Sequence, residues 1–201
     1  MNTPGCSFEH ACFISYKRPP EGAPEEHFYR KFVTAFQKRL EFYLTTPIRS
    51  FVDEDLSPGA HYPADLSQKL CKSVCFIVIL TPEYLDSSWC QAEWRAMLDF
   101  EAKRLENRAG LVIPVVLRGE IQQWETRYER KPVDLRVHVP DQLKNIKHSS
   151  KIKRIADIVG DLVQTVGQQV PNCEGFKVSF DVEKDILAFS PPYVDPDPLG
   201  R

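Results

Sequence analysis

Long apolar runs are missing from this 201-residue sequence: the longest, Val74 to Leu80 and Leu111 to Leu117, are seven residues each. A membrane-spanning helix needs roughly 20 such residues, and the N-terminus lacks the basic-then-apolar order of a secretory signal. The chain is therefore expected to stay in the cytoplasm with no membrane partner. A surplus of one charge sign is also missing, since 26 lysines and arginines are interspersed with 28 acids for a net charge of −2. That balance gives no general attraction for a phosphate backbone, so nucleic acid is not expected as a main partner. The six cysteines (Cys6, Cys12, Cys71, Cys75, Cys90, Cys173) form no C-x-x-C, and the five histidines form no H-x-x-x-H. Irregular spacing in a chain of this length fits neither a disulfide framework nor zinc, and most of the cysteines read as small buried apolar residues. Glycine-rich phosphate cradles are absent too: neither G-x-G-x-x-G nor G-x-x-x-x-G-K-[ST] occurs, which removes a Rossmann dinucleotide site and a P-loop. The third apolar run ends in Leu80-Thr81-Pro82, where a phosphoacceptor receiver would want an aspartate. No Ser/His/Asp or Cys/His arrangement stands out.

Four short apolar runs are present, Cys12 to Tyr16, Ile48 to Val52, Val74 to Leu80 and Leu111 to Leu117, with longer amphipathic stretches between them. Such runs read as parallel strands buried on both faces. Phe28, Phe32, Phe36, Leu40 and Leu44 draw one helical stripe that ends before Pro47. Pro63 suits the first turn of a short helix carrying Leu66 and Leu70. A third helix has the stripe Cys90, Trp94, Met97, Leu98 and Leu105. A last one, capped by Ser149 or Ser150, turns Ile152, Ile155, Val159, Leu162 and Val166 inward. A weaker fifth strand is expected within Asp134 to Val139. Strands alternating with helices give an α/β three-layer sandwich with a five-stranded parallel sheet, and the flavodoxin-like order 2-1-3-4-5 is the expected one. In that order ligands bind outside the carboxyl ends of strands 1 and 3. The N-terminal extension is placed at residues 1–10, the domain at 11–170, and a C-terminal extension at 171–201. That last segment holds a possible strand at Phe176 to Val182, then four prolines between Pro191 and Pro198 that read as an extended linker or tail.

The third helix carries the most informative residue. On a helix the neighbours of Glu93 are three and four positions away, here Trp89, Cys90, Ala96 and Met97, none of which can neutralise a carboxylate. Other acids on that helix have helical partners, Asp99 with Arg95 and Lys103 and Glu101 with Arg104. Glu93 also lies one turn past the loop that follows strand 3, near the mouth of the expected crevice. The loop Lys17 to Pro24, after strand 1, lines the same place.

Phe13-Ile14-Ser15-Tyr16 on the first strand, Phe51-Val52-Asp53 followed by Gly59, and Ser88-Trp89-Cys90 with Glu93 occur in an order and spacing that resembles a Toll/interleukin-1 receptor (TIR) domain, over roughly Ala11 to Gly167. The resemblance is to the NAD-cleaving type, and it implies that Glu93 is the catalytic carboxylate of an NAD glycohydrolase or ADP-ribosyl cyclase. Ser15, Tyr16, Lys17, Arg18, Asp53 and Trp89 are the substrate-binding positions it implies. Asp55, Leu56, Ser57, Pro58 and Gly59 correspond to the family's BB loop, through which TIR domains self-associate and complete a neighbour's site. Pro58-Gly59 also sets a turn on its own account. NAD is then substrate, with no metal and no other cofactor. The partners are other TIR domains, and a sensor joined through the tail. Bacterial members of the family often serve in defence against phage, plant and animal members in immunity or cell death. The alternative is a non-catalytic TIR–TIR interaction or adaptor module.

Overall fold

The computed structural model describes residues 8–20, 22–44, 48–52, 62–104, 110–122, 124, 130–136, 149–169 and 171–174. Five strands, β1 (His10–Tyr16), β2 (Arg49–Val52), β3 (Ser73–Leu80), β4 (Val112–Val116) and β5 (Val133–Asp134), form one sheet in the order β2-β1-β3-β4-β5. Every pairing is parallel. All eight residues of the central strand β3 are buried, whereas the edge strand β2 buries only Phe51. That contrast is what a sheet covered on both faces imposes on middle and edge positions.

Among the described residues, helices α1 (Pro24–Tyr43), α2 (Tyr62–Cys71), α3 (Pro82–Leu85), α4 (Ser88–Arg104) and α5 (Ser150–Thr165) flank the sheet. In α1 the four-residue spacing stacks Phe28 on Phe32 and Phe32 on Phe36, each pair with ring centroids 6.0 Å apart. Helix α1 packs beside α5 on one face of the sheet, while α2 and α4 pack against each other and β1 on the other. The expected inward stripes hold at Cys90, Trp94, Met97, Ile152, Ile155, Val159 and Val166, and Leu98 and Leu162 are only partly buried. Leu105 lies outside the described residues. Among those residues no helix is long and apolar enough to cross a membrane.

Three expectations need correction. The fifth strand is two residues long, starts one residue earlier than Asp134, and is only half-buried at the sheet edge; a strand with little to bury leaves little pattern in the sequence. Glu101 does not use Arg104. Instead the part-buried Arg104 guanidinium reaches the carbonyls of Ser73 (2.5 Å), Val74 (3.3 Å) and Cys71 and lies 4.8 Å from the centroids of both Phe8 and Phe100. Burial pushes its pKa down to about 10, so it remains a cation at neutral pH.

The third correction concerns cysteine. Cys12, Cys75 and Cys90 are buried free thiols, as their apolar reading requires, but Cys71 and Cys173 form a disulfide with Cα atoms 5.7 Å apart. They are 102 residues apart in sequence, so only the fold makes them neighbours. The bridge ties the stretch after α5 to the C-terminus of α2. Closing so long a loop restricts the unfolded chain, and Cys173→Ser is expected to cost the oxidised protein about 2–4 kcal/mol. Urea unfolding with and without reductant checks this: the two proteins should differ only when oxidised, and a Cys173→Ser protein as stable as the parent without reductant would show that the bridge contributes nothing.

Candidate functional site

Alternation along β1 sends successive side chains to opposite faces of the sheet. Ser15 therefore faces α4 and Tyr16 faces α1, where its ring lies 4.3 Å from that of Tyr29. Ser15 pairs in register with Val78 and Tyr16 with Ile79, so both stand at the carboxyl end of the sheet, at the β1–β3 boundary where the chain's connections diverge.

Thr81 ends β3, and Pro82 opens the single turn α3, its fixed φ suiting a first helical position. This turn buries Tyr84 completely. Helix α4 follows at once. The Ser87 hydroxyl accepts the Cys90 backbone N–H at 3.4 Å as an N-cap, and the Gln91 side-chain amide donates to the Leu85 carbonyl at 2.5 Å. These bonds hold α4 in place against the end of β3. At the rim, Arg118 donates to Glu83 at 2.6 Å. Both side chains are well exposed, so that pair adds little stability.

Glu93 is only 1% exposed. Its two oxygens are held from two directions: Trp89 Nε1, one turn back on α4, donates to Oε1 at 2.9 Å, and the Ser15 hydroxyl donates to Oε2. Both donors are neutral, so they orient the carboxylate without cancelling its charge. Ser15 Oγ also lies 2.8 Å from the Tyr84 hydroxyl, and that hydroxyl is within 3.1 Å of the Cys90 carbonyl. Strand β1, turn α3 and helix α4 are thus joined by one buried polar network centred on a glutamate. Low polarity around such a network strengthens every bond in it.

The structure brings Ser15 and Trp89 to Glu93. Tyr16 is buried on the opposite face of the sheet, and Lys17 and Arg18 are exposed in the loop after β1. Asp53, Asp55, Leu56, Ser57, Pro58 and Gly59 lie outside the described residues. Tyr84 was not anticipated from the sequence, although a tyrosine two residues after a helix-opening proline, directly behind a fully buried strand, is a usable signal. Glu101 is the second buried glutamate on α4, at 3% exposure. It accepts backbone N–H bonds from Gly110 (3.0 Å), Leu111 (2.7 Å) and Val112 (2.8 Å) and pairs with Arg130. Burial alone would raise its pKa, but Arg130 and the backbone donors outweigh that and hold it below the usual carboxylate range. It stands by the entrance to β4, at the amino end of the sheet, and its role is structural. Among the described residues no group of three or more His, Cys, Asp or Glu side chains is arranged to hold a metal ion.

A family model described as the TIR domain matches residues 12–148. No curated protein matches the chain. Among solved structures, the TIR domains of the activated Roq1 resistosome directly recognizing the pathogen effector XopQ match at 20% identity, over 73% of this chain and 83% of that one, with a TM-score of 0.41.

Proposed function

The chain belongs to the TIR domain family, and from that premise we propose that it is an NAD glycohydrolase that breaks the nicotinamide–ribose bond, with Glu93 as its catalytic carboxylate. The observation that carries this reading is a buried carboxylate at the carboxyl end of the sheet, oriented by Trp89 and Ser15 and not neutralised by either.

One carboxylate suffices for this bond. Glycosidases commonly use a second acid to protonate a leaving oxygen. Nicotinamide is attached as a pyridinium cation, so when the C–N bond breaks its nitrogen takes the electron pair and the group leaves neutral, with no proton needed. The ribose carbon becomes an oxocarbenium-like cation, and a preoriented carboxylate in a water-poor site stabilises it. Water then adds to that carbon and gives up a proton, and the product is ADP-ribose; attack by an adenine nitrogen gives a cyclic ADP-ribose instead.

With Glu93 only 1% exposed, a ribose hydroxyl reaches it only after the side chains that cover it move. The chain alone therefore represents a resting form, and this supports activation by self-association, with the segment Asp55 to Gly59 as the interface and with Tyr16, Lys17, Arg18 and Asp53 shaping the rest of the substrate site. Signalling in defence or immunity is the role that such gated NAD consumption would serve. A cytoplasmic setting belongs to the same reading, and the reducing milieu there would hold Cys71 and Cys173 as thiols.

The internal engagement of Glu93 also favours a second reading, a non-catalytic interaction module in which the glutamate only joins β1 to α4. Concentration separates the two. Nicotinamide release per molecule should rise as the protein is concentrated, and Gly59→Pro should abolish that rise together with the assembly seen by light scattering. Assembly without any release at any concentration would favour the module.

A further inference from the structure

Three contacts run in series: Glu93 Oε2 to Ser15 Oγ, Ser15 Oγ to the Tyr84 hydroxyl, and the Tyr84 hydroxyl to the Cys90 carbonyl. Ser15 and Tyr84 have one hydroxyl proton each. When Glu93 is ionised, Ser15 must donate to it, and the Tyr84 proton then turns to Ser15 Oγ. The Cys90 carbonyl loses nothing essential, because it lies inside α4 and has the helical N–H four residues on as its partner. When Oε2 carries a proton the whole series reverses, from Glu93 to Ser15, from Ser15 to Tyr84, and from Tyr84 to the Cys90 carbonyl. Each ionisation state of Glu93 thus finds a chain of donors and acceptors without any heavy atom moving.

We propose that Tyr84 is a positioning residue for Glu93, acting through Ser15: its hydroxyl proton switches between Ser15 Oγ and the Cys90 carbonyl as Glu93 passes between carboxylate and carboxylic acid during turnover. The inference rests on the glycohydrolase reading and extends it. In the first step the carboxylate faces the ribose cation, with the series pointing toward Oε2. In the second, the oxygen of the attacking water bonds to the ribose carbon and its proton goes to Glu93, and the series turns to point away. That proton later leaves to solvent, and the original direction returns. Tyr84 is buried in a one-turn helix between β3 and α4, so its hydroxyl is held where both acceptors are in reach.

The test is a double-mutant cycle on nicotinamide release by the assembled full chain, using wild type, Tyr84→Phe, Ser15→Ala and the double variant, each first shown to melt cooperatively. Tyr84→Phe keeps the ring; partners behind metal ligands typically cost roughly 10–100-fold when lost, and a hydroxyl that supports a carboxylate through one intermediary is placed at the low end of that range. The expected loss is about tenfold in kcat, with KM changed by less than about twofold. The double variant should fall no further than Ser15→Ala alone, because Tyr84 acts through Ser15. A Tyr84→Phe protein as active as wild type, or losses that multiply in the double variant, would overturn the proposal. A second readout needs no turnover: the side-chain carboxyl 13C resonance of Glu93, assigned by its absence from Glu93→Gln. It should move in Tyr84→Phe when Ser15 is present and stay still when residue 15 is alanine. Failure of wild type to release nicotinamide would reject the glycohydrolase, whereas a carboxyl resonance indifferent to Tyr84→Phe would reject the relay.

Discussion

Replacing Glu93 by glutamine is expected to lower nicotinamide release by about a thousandfold while leaving the fold intact. The size follows from what the side chain faces. A cationic ribose centre in a water-poor crevice loses its only proposed counter-charge, and a thousandfold corresponds to about 4 kcal/mol of transition-state stabilisation. The intact fold follows from the hydrogen-bond series. A glutamine can turn its carbonyl to the Trp89 N–H and its amide to Ser15 Oγ, after which Ser15 donates to Tyr84 and Tyr84 to the Cys90 carbonyl. Each contact seen around Glu93 keeps a donor and an acceptor, so glutamine imitates the protonated glutamate. Alanine would leave the Trp89 and Ser15 donors facing a cavity and lose stability together with activity, which makes glutamine the cleaner substitution. Nicotinamide release and a thermal melt on the same preparations check both halves. A glutamine variant that folds and retains near-parental turnover would remove Glu93 from the chemistry.

The second large effect concerns stability. Glu101→Ala is expected to destabilise the domain by about 3–5 kcal/mol, because it leaves a largely buried guanidinium, Arg130, and three backbone N–H groups without their common acceptor. Against a typical total of roughly 5–15 kcal/mol that loss is severe. For a domain of this length it means a Tm drop of roughly 6–20 °C. The pH dependence has a definite sign. Folding lowers the Glu101 pKa from its ordinary value of 4.5, since its donors outweigh burial. Its contribution is therefore fully present above about pH 4.5 and is lost as the pH falls through the depressed folded value. Urea unfolding across the acid range should show the parent losing stability there and Glu101→Ala losing much less. Parallel acid limbs in the two proteins would place the acid sensitivity elsewhere.

These two glutamates also show what a single sequence makes legible. Both sit on α4 and both are buried, yet only Glu93 stands out by helical spacing, because Glu101 has Arg104 three residues on. In the folded chain Arg104 is drawn off to the carbonyls at the start of β3, and the partner of Glu101 comes from Arg130, 29 residues away. Helical spacing sees only local neighbours. The same limit hid the Cys71–Cys173 bridge and the approach of Tyr84 to Ser15, contacts across 102 and 69 residues. The strands were legible for the opposite reason: β3 is buried along its whole length and so appears as an unbroken apolar run, while the two-residue β5 at the sheet edge leaves almost no trace. Sheet order was legible from alternation of strand and helix, and it places the site at the carboxyl ends of β1 and β3. The opposite facing of Ser15 and Tyr16 follows from strand alternation alone, once the face covered by α4 is known.

The central claim, that Glu93 cleaves NAD in an assembled form of this chain, is tested most directly by nicotinamide release from NAD by concentrated wild type and Glu93→Gln under crowding, with assembly followed by light scattering in the same samples. Release by wild type, with about a thousandfold less from an equally assembled Glu93→Gln, is the expected result. Assembled wild-type protein that leaves NAD intact would contradict the claim and leave the interaction module as the function of this domain.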